Sequence, residues 1–401
     1  MALTVVVLAA LATLSGLGMA WALGASSNSP PFAPAIGANA ISTMRAAFLV
    51  GILAALGALT QGGSISETVG RDLINGVQIT PLAATAGLLT AAGFIVIGVR
   101  TGYPIPAAFA VTGAMIGVGL ALGGDPAFAT YRRLGAFWLA VPFVSGTTAY
   151  GTARMLRDDR VPETTAVPII AAGVAAIVAN VQLGVLPAPE GATQNSVAGA
   201  AALLIDVPTV GSIDPVVVAV TLGMAVVAFV AIRRRTHQSH ERGIRTLLIG
   251  LGSVVAFSGG GSQVGLATGP LETLFADQFG LPPIALLALG AVGILAGAWM
   301  GAPRLLQSTS REYAQLGERR SIAALVPGFL IAQAAILLGI PVSFNNIIIS
   351  GVIGGGLAAG SAGVSRRKIG ITLGFWLVTL VTSVLVGFTV YTVVSTGLGI
   401  Q

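Results

Sequence analysis

Long apolar runs alternate with short polar segments along the whole chain. Many of the runs reach the roughly 20 residues that an α-helix needs to cross the hydrocarbon core of a bilayer. We predict about twelve membrane-spanning helices, at residues 3–23, 46–59, 79–99, 105–122, 134–153, 166–186, 213–232, 246–257, 281–300, 322–338, 347–362 and 369–394. Residues 196–210 are apolar but form a short run that contains Asp206. We expect this segment to lie at the membrane interface or to re-enter rather than to cross.

A polar motif that is expected to break a helix occurs twice. The first copy, Gly24–Pro34, follows the first apolar run, and the second, Gly260–Leu271, follows an apolar run in the other half of the chain. Ser26 and Ser262 hold the same place in the two copies and are 236 positions apart. Two later triplets keep nearly the same offset, 237 positions: Gly102-Tyr103-Pro104 and Gly339-Ile340-Pro341. A nearly constant offset indicates a duplicated unit, and polar breaks in paired apolar repeats are typical of a transporter site.

The distribution of charge predicts how the chain lies in the membrane. Only 8% of the residues are charged whereas 55% are hydrophobic, which indicates an all-α polytopic membrane protein. If alternate loops are assigned to the cytoplasm, sixteen of the twenty basic residues lie inside, as the positive-inside rule requires. Both termini are then external, and the two polar motifs lie at opposite faces. We therefore predict two inverted-topology repeats with broken or re-entrant helices, residues 1–155 and 244–401, joined by linker helices and an Arg-rich loop at 156–243.

Composition also excludes several classes of function. The net charge of +6 does not indicate a nucleic-acid partner, because the basic residues flank apolar runs. Cysteine is absent, so there is no thiol nucleophile and no thiolate metal site. We interpret the spacing of His237 and His240 in a basic loop as chance rather than as a metal site. No nucleophile–base pair and no nucleotide fingerprint is present, and we predict neither an enzyme nor a cofactor beyond a coupling Na⁺ or H⁺.

The two polar motifs carry a resemblance to a known family. Gly24-Ala25 precedes Ala33-Pro34 at a spacing that recurs from Gly260 to Pro270, and the second half continues with Gly339-Ile340-Pro341-Val342-Ser343. This pattern resembles the PiT family of inorganic phosphate transporters over nearly the whole chain. The resemblance implies inverted repeats, alternating access and inorganic phosphate as substrate. Arginine outnumbers lysine 19 to 1, which is typical of a high-GC prokaryote and fits a halophile, as in the haloarchaea.

The chain departs from the family pattern at the polar positions. The Asn-Asp pair of the family becomes Ser26-Ser27 in the first copy and Ser262-Gln263 in the second, so both signature carboxylates are absent. Neutral hydroxyl and amide donors bind an oxyanion without net charge. We predict that the substrate contacts Ser26, Ser27, Asn28, Ser262, Gln263, Ser343, Asn345 and Asn346. Each small polar residue could instead satisfy backbone groups freed at a helix break.

Glu272, which follows the second motif, is the candidate site for a coupling ion. An acid inside a membrane is costly and usually functional. Glu272 could equally lie at the external surface beside Asp277. Uptake of an anion against an inside-negative potential needs a co-transported cation, because each charge costs roughly 2.3 kcal/mol per 100 mV. The lost carboxylates leave Na⁺ and H⁺ both open.

These observations predict a cation-coupled secondary active transporter of inorganic phosphate in the cell (plasma) membrane. A first alternative is a permease of the same fold for sulfate or another oxyanion. A second, from another class, is a non-transporting membrane sensor or subunit, and a channel is a weaker third. The lipid bilayer is the expected surrounding, and the sequence leaves open whether the protein is a homo-oligomer.

Overall fold

The computed structural model describes residues 2–27, 30–101, 105–158, 160–187, 195–205, 207–209, 211, 213–358 and 366–399. These residues are almost entirely helical. The α-helices are α1 (Ala2–Ser26), α2 (Ala33–Gly37), α3 (Thr43–Gln61), α4 (Gly63–Arg71), α5 (Pro81–Thr101), α6 (Ala107–Ala121), α7 (Phe128–Met155), α8 (Glu163–Val178), α9 (Val197–Ala202), α10 (Pro215–Gln238), α11 (His240–Thr268), α12 (Pro283–Leu316), α13 (Glu318–Leu337), α14 (Phe344–Leu357) and α15 (Arg366–Leu398). Two strands, β1 (Ile74–Asn75) and β2 (Asp125–Pro126), pair antiparallel with Ile74 opposite Pro126.

Among the described residues, nine helical segments are long and apolar enough to cross a membrane. They are residues 5–26, 43–61, 81–98, 163–180, 215–238, 240–271, 283–301, 318–337 and 374–398. The chain is therefore a multi-pass α-helical membrane protein, as predicted. The predicted spans 105–122 and 347–362 correspond to α6 and α14, which have 15 and 14 residues and are shorter than a typical span. The count of about twelve crossings stays a prediction.

The linker helix α10 shows how local sequence defines these elements. Pro215 occupies the first turn, and Oδ1 of Asp214 accepts a hydrogen bond from the Val216 amide at 2.8 Å, which caps the helix. The body of α10 exposes large apolar side chains such as Val227, 69% of which is accessible. Lipid rather than water accounts for so apolar an exposed surface. Basic residues in the last turn complement the helix dipole.

The helix that enters each polar motif contacts the helix that follows the other motif. A Cβ atom on Gly24 of α1 would lie 2.2 Å from the Ile294 carbonyl oxygen of α12. A Cβ atom on Gly260 of α11 would likewise lie 1.8 Å from the Ala54 carbonyl oxygen of α3. Only glycine permits helices to approach so closely in the membrane. The contact of each half therefore has a counterpart in the other half, at offsets of 236 and 240 positions.

The last two helices of each half also make reciprocal contacts with the other half. Oγ of Ser145 on α7 donates to the Ile347 carbonyl oxygen of α14 at 2.7 Å. Oγ of Ser383 on α15 donates to the Phe109 carbonyl oxygen of α6 at 3.3 Å. Both pairs are related by an offset of 238 positions. Such paired contacts are expected if an approximate two-fold axis relates the halves, while their inverted orientation across the membrane stays a prediction.

The second polar motif does not break its helix where the sequence predicts. Helix α11 continues to Thr268, and irregular structure begins only with the 3₁₀ turn Gly269–Leu271 and the π-helical turn Thr273–Gln278. The prediction of a break from Gly260 onward, and of a span ending at residue 257, is wrong. The glycines of this stretch serve close packing instead, since a Cβ on Gly265 would lie 2.6 Å from the Ser66 backbone nitrogen.

Candidate functional site

Buried polar side chains of α11 meet the loop that precedes α14. Nε2 of Gln263, which is fully buried, donates to the Val342 carbonyl oxygen at 3.0 Å and lies 3.4 Å from Oγ of Ser262. Ser343 follows Val342, is 4% exposed and occupies the N-cap position of α14. Asn346 lies in the first turn of α14, and its backbone nitrogen donates to the Ser343 carbonyl oxygen at 3.1 Å. We call Ser262, Gln263, Ser343 and Asn346 the polar centre.

The loop beside the polar centre is held from both halves of the chain. Gly339 has a positive φ of 62°, which only glycine adopts readily, and this turns the chain out of α13. Nε1 of Trp138 on α7 then donates to the Pro341 carbonyl oxygen at 2.8 Å. Together with Gln263, this bond fixes two successive carbonyl groups, those of Pro341 and Val342. The loop that leads into α14 is therefore bonded to both α7 and α11.

Two carbonyl oxygens of the polar centre have no hydrogen-bond partner among the described residues. They are Oε1 of Gln263 and Oδ1 of Asn346, whose residues are 0% and 5% exposed. A buried acceptor left unpaired costs about 1–3 kcal/mol. The first two backbone N–H groups of α14 also lack acceptors within the helix, as at any helix N-terminus, whereas that of Asn346 bonds to the Ser343 carbonyl oxygen. The polar centre thus presents acceptors and donors together, which suits a polar ligand with both functions.

The remaining predicted residues lie elsewhere or outside the description. Oγ of Ser26 donates to the Ala22 carbonyl oxygen of its own helix at 2.7 Å, which is the backbone-satisfying role. Ser27 is 4% exposed, and its backbone nitrogen bonds to the Leu23 carbonyl oxygen. Asn28 and the side chain of Asn345 lie outside the described residues. The structure therefore brings together four of the eight predicted residues, and a substrate role for any of them stays a prediction.

Glu272 lies in an ion-pair cluster at the end of α11. Its Oε1 is 3.1 Å from Nε of Arg71, while Nη2 of Arg71 is 3.0 Å from Oδ1 of Asp277. We call these three residues the Arg71 cluster. Burial raises the pKa of the Glu272 carboxyl, and the Arg71 guanidinium opposes this rise. Glu272 and Asp277 both contact Arg71, and the placement of Glu272 at the external surface and its role as a coupling-ion site both stay predictions.

The sequence analysis missed a network of interior amides, formed by the buried Gln61 and the partly buried Gln333. Nε2 of Gln61 donates to Oε1 of Gln333 at 3.1 Å and to the Gln182 carbonyl oxygen at 2.9 Å. Nε2 of Gln333 donates to Oγ of Ser258 at 2.6 Å. The network joins α3, α11, α13 and the linker. Each glutamine interrupts an apolar run, where an unpaired amide is costly, and this signal could have identified both.

These features define a class of protein before any comparison is made. Many apolar helices cross a membrane, the two halves exchange contacts, and neutral polar groups meet in the interior. Within the described residues, no three His, Cys, Asp or Glu side chains group to hold a metal ion. Such an architecture is that of a membrane protein that handles a small polar solute.

The comparison with protein families is more specific. The model of the phosphate transporter family matches residues 23–387, and the chain belongs to this family. A protein of Pyrococcus horikoshii named as a candidate phosphate permease is 24% identical over 391 residues, covering 92% of this chain and 93% of that protein. The chloroplastic inorganic phosphate transporter 2-1 of Arabidopsis thaliana is also 24% identical, covering 92% of this chain and 69% of that protein.

A solved structure shares the fold. A protein described as the sodium-dependent phosphate transporter superimposes with a TM-score of 0.81, covering 97% of this chain and 99% of that chain. The two sequences are 21% identical, so the likeness concerns the fold alone. The family and this structural neighbour are transporters rather than enzymes.

Proposed function

We propose that the protein is a secondary active transporter that moves inorganic phosphate across the cell membrane. The observation that carries the proposal is the polar centre, where Gln263 and Asn346 keep unpaired polar atoms in the interior of the helix bundle. Polar groups so placed are costly unless a ligand or water satisfies them. Family membership supplies phosphate as the substrate.

The proposed mechanism is alternating access between two inverted units, residues 1–155 and 244–401, with residues 156–243 as the linker. The reciprocal contacts of Gly24 with Ile294 and of Gly260 with Ala54 support this division. In such an architecture one unit rocks against the other around a site near the midplane. The polar centre suits that site, because Trp138 of the first unit contacts the loop that carries it in the second.

Coupling to a cation follows from the charge of the substrate. Moving an anion inward against the membrane potential costs roughly 2.3 kcal/mol per charge per 100 mV. The polar centre is built from hydroxyl and amide groups, so its side chains add no negative charge to repel the anion. We propose Na⁺ or H⁺ as the coupling ion, and Glu272 is the candidate residue for its binding.

The test is uptake of labelled phosphate by proteoliposomes that contain the purified protein, with Na⁺ and H⁺ gradients imposed separately. Gradient-driven uptake that falls at least about tenfold in Gln263→Leu is the expected result, because leucine keeps the volume but removes the amide. Absence of uptake by folded protein would overturn the proposal. Uptake of sulfate in its place would favour the first alternative, and silence toward both anions would favour a sensor or subunit.

A further inference from the structure

One face of helix α10 is both apolar and exposed. Leu222, Val226, Val227 and Val230 are each at least 38% exposed, and at about 100° per residue they lie within a sector of roughly 140°. Helix α10 is long and apolar enough to cross a membrane. Lipid therefore covers this sector, which we call the lipid face.

The lipid face ends in two arginines. Arg233 and Arg234 lie three and four residues beyond Val230, so both fall within the sector of the lipid face. Both side chains are exposed, and Cζ of Arg233 lies 5.8 Å from the centre of the Phe229 ring. Asp214 caps the other end of the helix, roughly 30 Å from Arg234 at about 1.5 Å per residue. This distance matches the thickness of the hydrocarbon core, so the arginines lie at the level of the headgroups of one leaflet.

Two further arginines lie beside this pair, Arg235 in α10 and Arg242 in the first turn of α11. The end of α10 and the start of α11 pack together, since a Cβ on Gly243 would lie 2.2 Å from Oγ1 of Thr236. All four arginines are exposed, and none of them forms an ion pair with any described residue. We define the basic corner as these four residues, Arg233, Arg234, Arg235 and Arg242.

The acids close to the basic corner are bonded to other residues. Glu241 is the one acid in residues 233–245, and it pairs with Arg245. Glu163, at the start of the neighbouring α8, pairs with Arg319 and lies 3.5 Å from Nδ1 of His240. The arginines of the basic corner therefore keep a positive charge that the described part of the chain leaves uncompensated.

We propose that the basic corner binds the headgroups of anionic phospholipids while the lipid face contacts their acyl chains. A guanidinium group donates two parallel N–H bonds to a phosphate group, which makes arginine well suited to this contact. The continuity of the arginines with an apolar face favours a lipid over a soluble anion, because a soluble anion would contact the arginines alone. Phosphatidylcholine carries a phosphate together with a quaternary ammonium group, so it has no net charge and gains less from the arginines.

The number of arginines sets the expected preference. Each arginine beside anionic lipids strengthens binding roughly fivefold. Arg233 and Arg234, which lie within the lipid face itself, should therefore contribute about 25-fold together. This contribution is electrostatic, so it should decrease as salt is added.

The experiment measures lipid binding to the purified full-length protein in detergent by native mass spectrometry. The probes are dioleoylphosphatidylglycerol, dioleoylphosphatidylcholine and glycerophosphoglycerol, which is the soluble headgroup of the first. We expect phosphatidylglycerol to bind at least about 25-fold more tightly than either of the others. The double variant Arg233→Gln with Arg234→Gln should lose about 25-fold in affinity for this lipid. Arg233→Lys with Arg234→Lys keeps the charge and should lose less than about fivefold.

An adjacent pair of arginines at the start of α7, Arg132 and Arg133, supplies a matched control. The double variant Arg132→Gln with Arg133→Gln removes the same number of charges. Asp72 lies 3.9 Å from Arg133 and already compensates one of them. This variant should therefore weaken the binding of phosphatidylglycerol less than about fivefold.

Four outcomes would overturn the proposal. Equal affinity for the two lipids would show that the arginines do not select the charge of the headgroup. Undiminished affinity in the glutamine variant of the basic corner would assign lipid binding to other residues. An equal loss in the control variant would assign the effect to net charge. Binding of glycerophosphoglycerol as tightly as the phospholipid would assign the arginines to a soluble anion.

Discussion

The Arg71 cluster is expected to hold one end of the molecule closed. Arg71 ends α4 in the first half, whereas Glu272 and Asp277 follow α11 in the second. The backbones meet closely beneath them, since a Cβ on Gly70 would lie 2.2 Å from the Gly269 carbonyl oxygen. In the proposed alternating-access mechanism, access to the polar centre from this end requires these contacts to separate. We therefore predict that Arg71→Gln increases the population that is open at this end.

The solvent exposure of the three side chains sets how far Arg71→Gln should shift the equilibrium toward opening. The side chains of Arg71, Glu272 and Asp277 are 37%, 21% and 38% exposed, so the pairs are screened but not fully solvated. Exposed pairs contribute about 0–1 kcal/mol, and loss of a partner from a half-buried pair leaves its acid uncompensated. Together, the lost pairs and the uncompensated acid are expected to favour opening by about 1–2 kcal/mol. This corresponds to roughly a 5–30-fold increase in the open population.

The absence of cysteine makes the assay direct. Ser262→Cys, which is fully buried and six residues before Thr268 on α11, supplies a single thiol in lipid nanodiscs. Its rate of reaction with a polar thiol reagent should rise roughly 5–30-fold when Arg71→Gln is added. Further replacement of Glu272 by Gln and Asp277 by Asn removes the unpaired acids and should lower the rate to within about fivefold of its starting value, since only the roughly 0–1 kcal/mol of the pairs themselves is then lost.

A matched control separates this effect from a general loss of surface charge. Arg133 pairs with Asp72 at 3.9 Å, and both side chains are nearly half exposed. Arg133→Gln should therefore change the labelling rate less than about twofold. Equal rates with and without Arg71→Gln would refute the closing role. So would an increase that is undiminished after the acids are neutralised, since the cause would then be packing rather than charge.

Two further predictions concern contacts between the halves. The hydroxyl oxygens of Ser66 and Thr268 are 3.4 Å apart, and a disulfide between Ser66→Cys and Thr268→Cys should stop uptake until a reductant is added. Unchanged uptake by oxidised, cross-linked protein would contradict the need for α4 and α11 to separate. Gly57→Ala places a methyl group 1.8 Å from the Phe257 carbonyl oxygen and should lower the thermal unfolding temperature by several degrees. Gly63→Ala is the control, because the space around Gly63 is open, and it should leave this temperature unchanged. Equal unfolding temperatures for the two variants would show that α3 and α11 can separate without cost.

The sequence predicts the helices well because their signal is local. A bilayer requires a long apolar run wherever a helix crosses, and this requirement is written into consecutive residues. The sequence also indicated that the segments of Gln263 and Ser343 belong together, since both carry repeated motifs. In the structure Gln263 bonds to Val342, which precedes Ser343, so the contact lies within the second half rather than between the two copies of the motif. The substrate role of these residues stays a prediction.

What the sequence does not predict depends on distant partners. Gln61 and Gln333 are 272 positions apart, and Arg71 and Glu272 are 201 apart, with no repeated motif to link them. The continuation of α11 through Gly260 likewise depends on a distant partner, because a glycine-rich stretch can break a helix in one context and allow close helix packing in another. The deciding factor there is the Ala54 backbone of α3, which no local pattern reveals.

The two halves share a backbone arrangement but differ in side chains at corresponding positions, and this difference distinguishes the Arg71 cluster from its counterpart. At the offset of 236 positions, Glu272 and Asp277 correspond to Ile36 and Ile41, which pack against an apolar cluster that includes Leu306. The two proposed units thus meet through charge at the Arg71 cluster and through apolar side chains at its counterpart, where the ion pair of Arg319 with Glu163 joins the second unit to the linker. Added salt screens exposed ion pairs and leaves apolar contact largely intact. If the halves move as proposed, higher ionic strength should therefore favour opening at the Arg71 cluster over opening at the other end. The end that salt opens more readily is then determined by side chains that differ between the two halves.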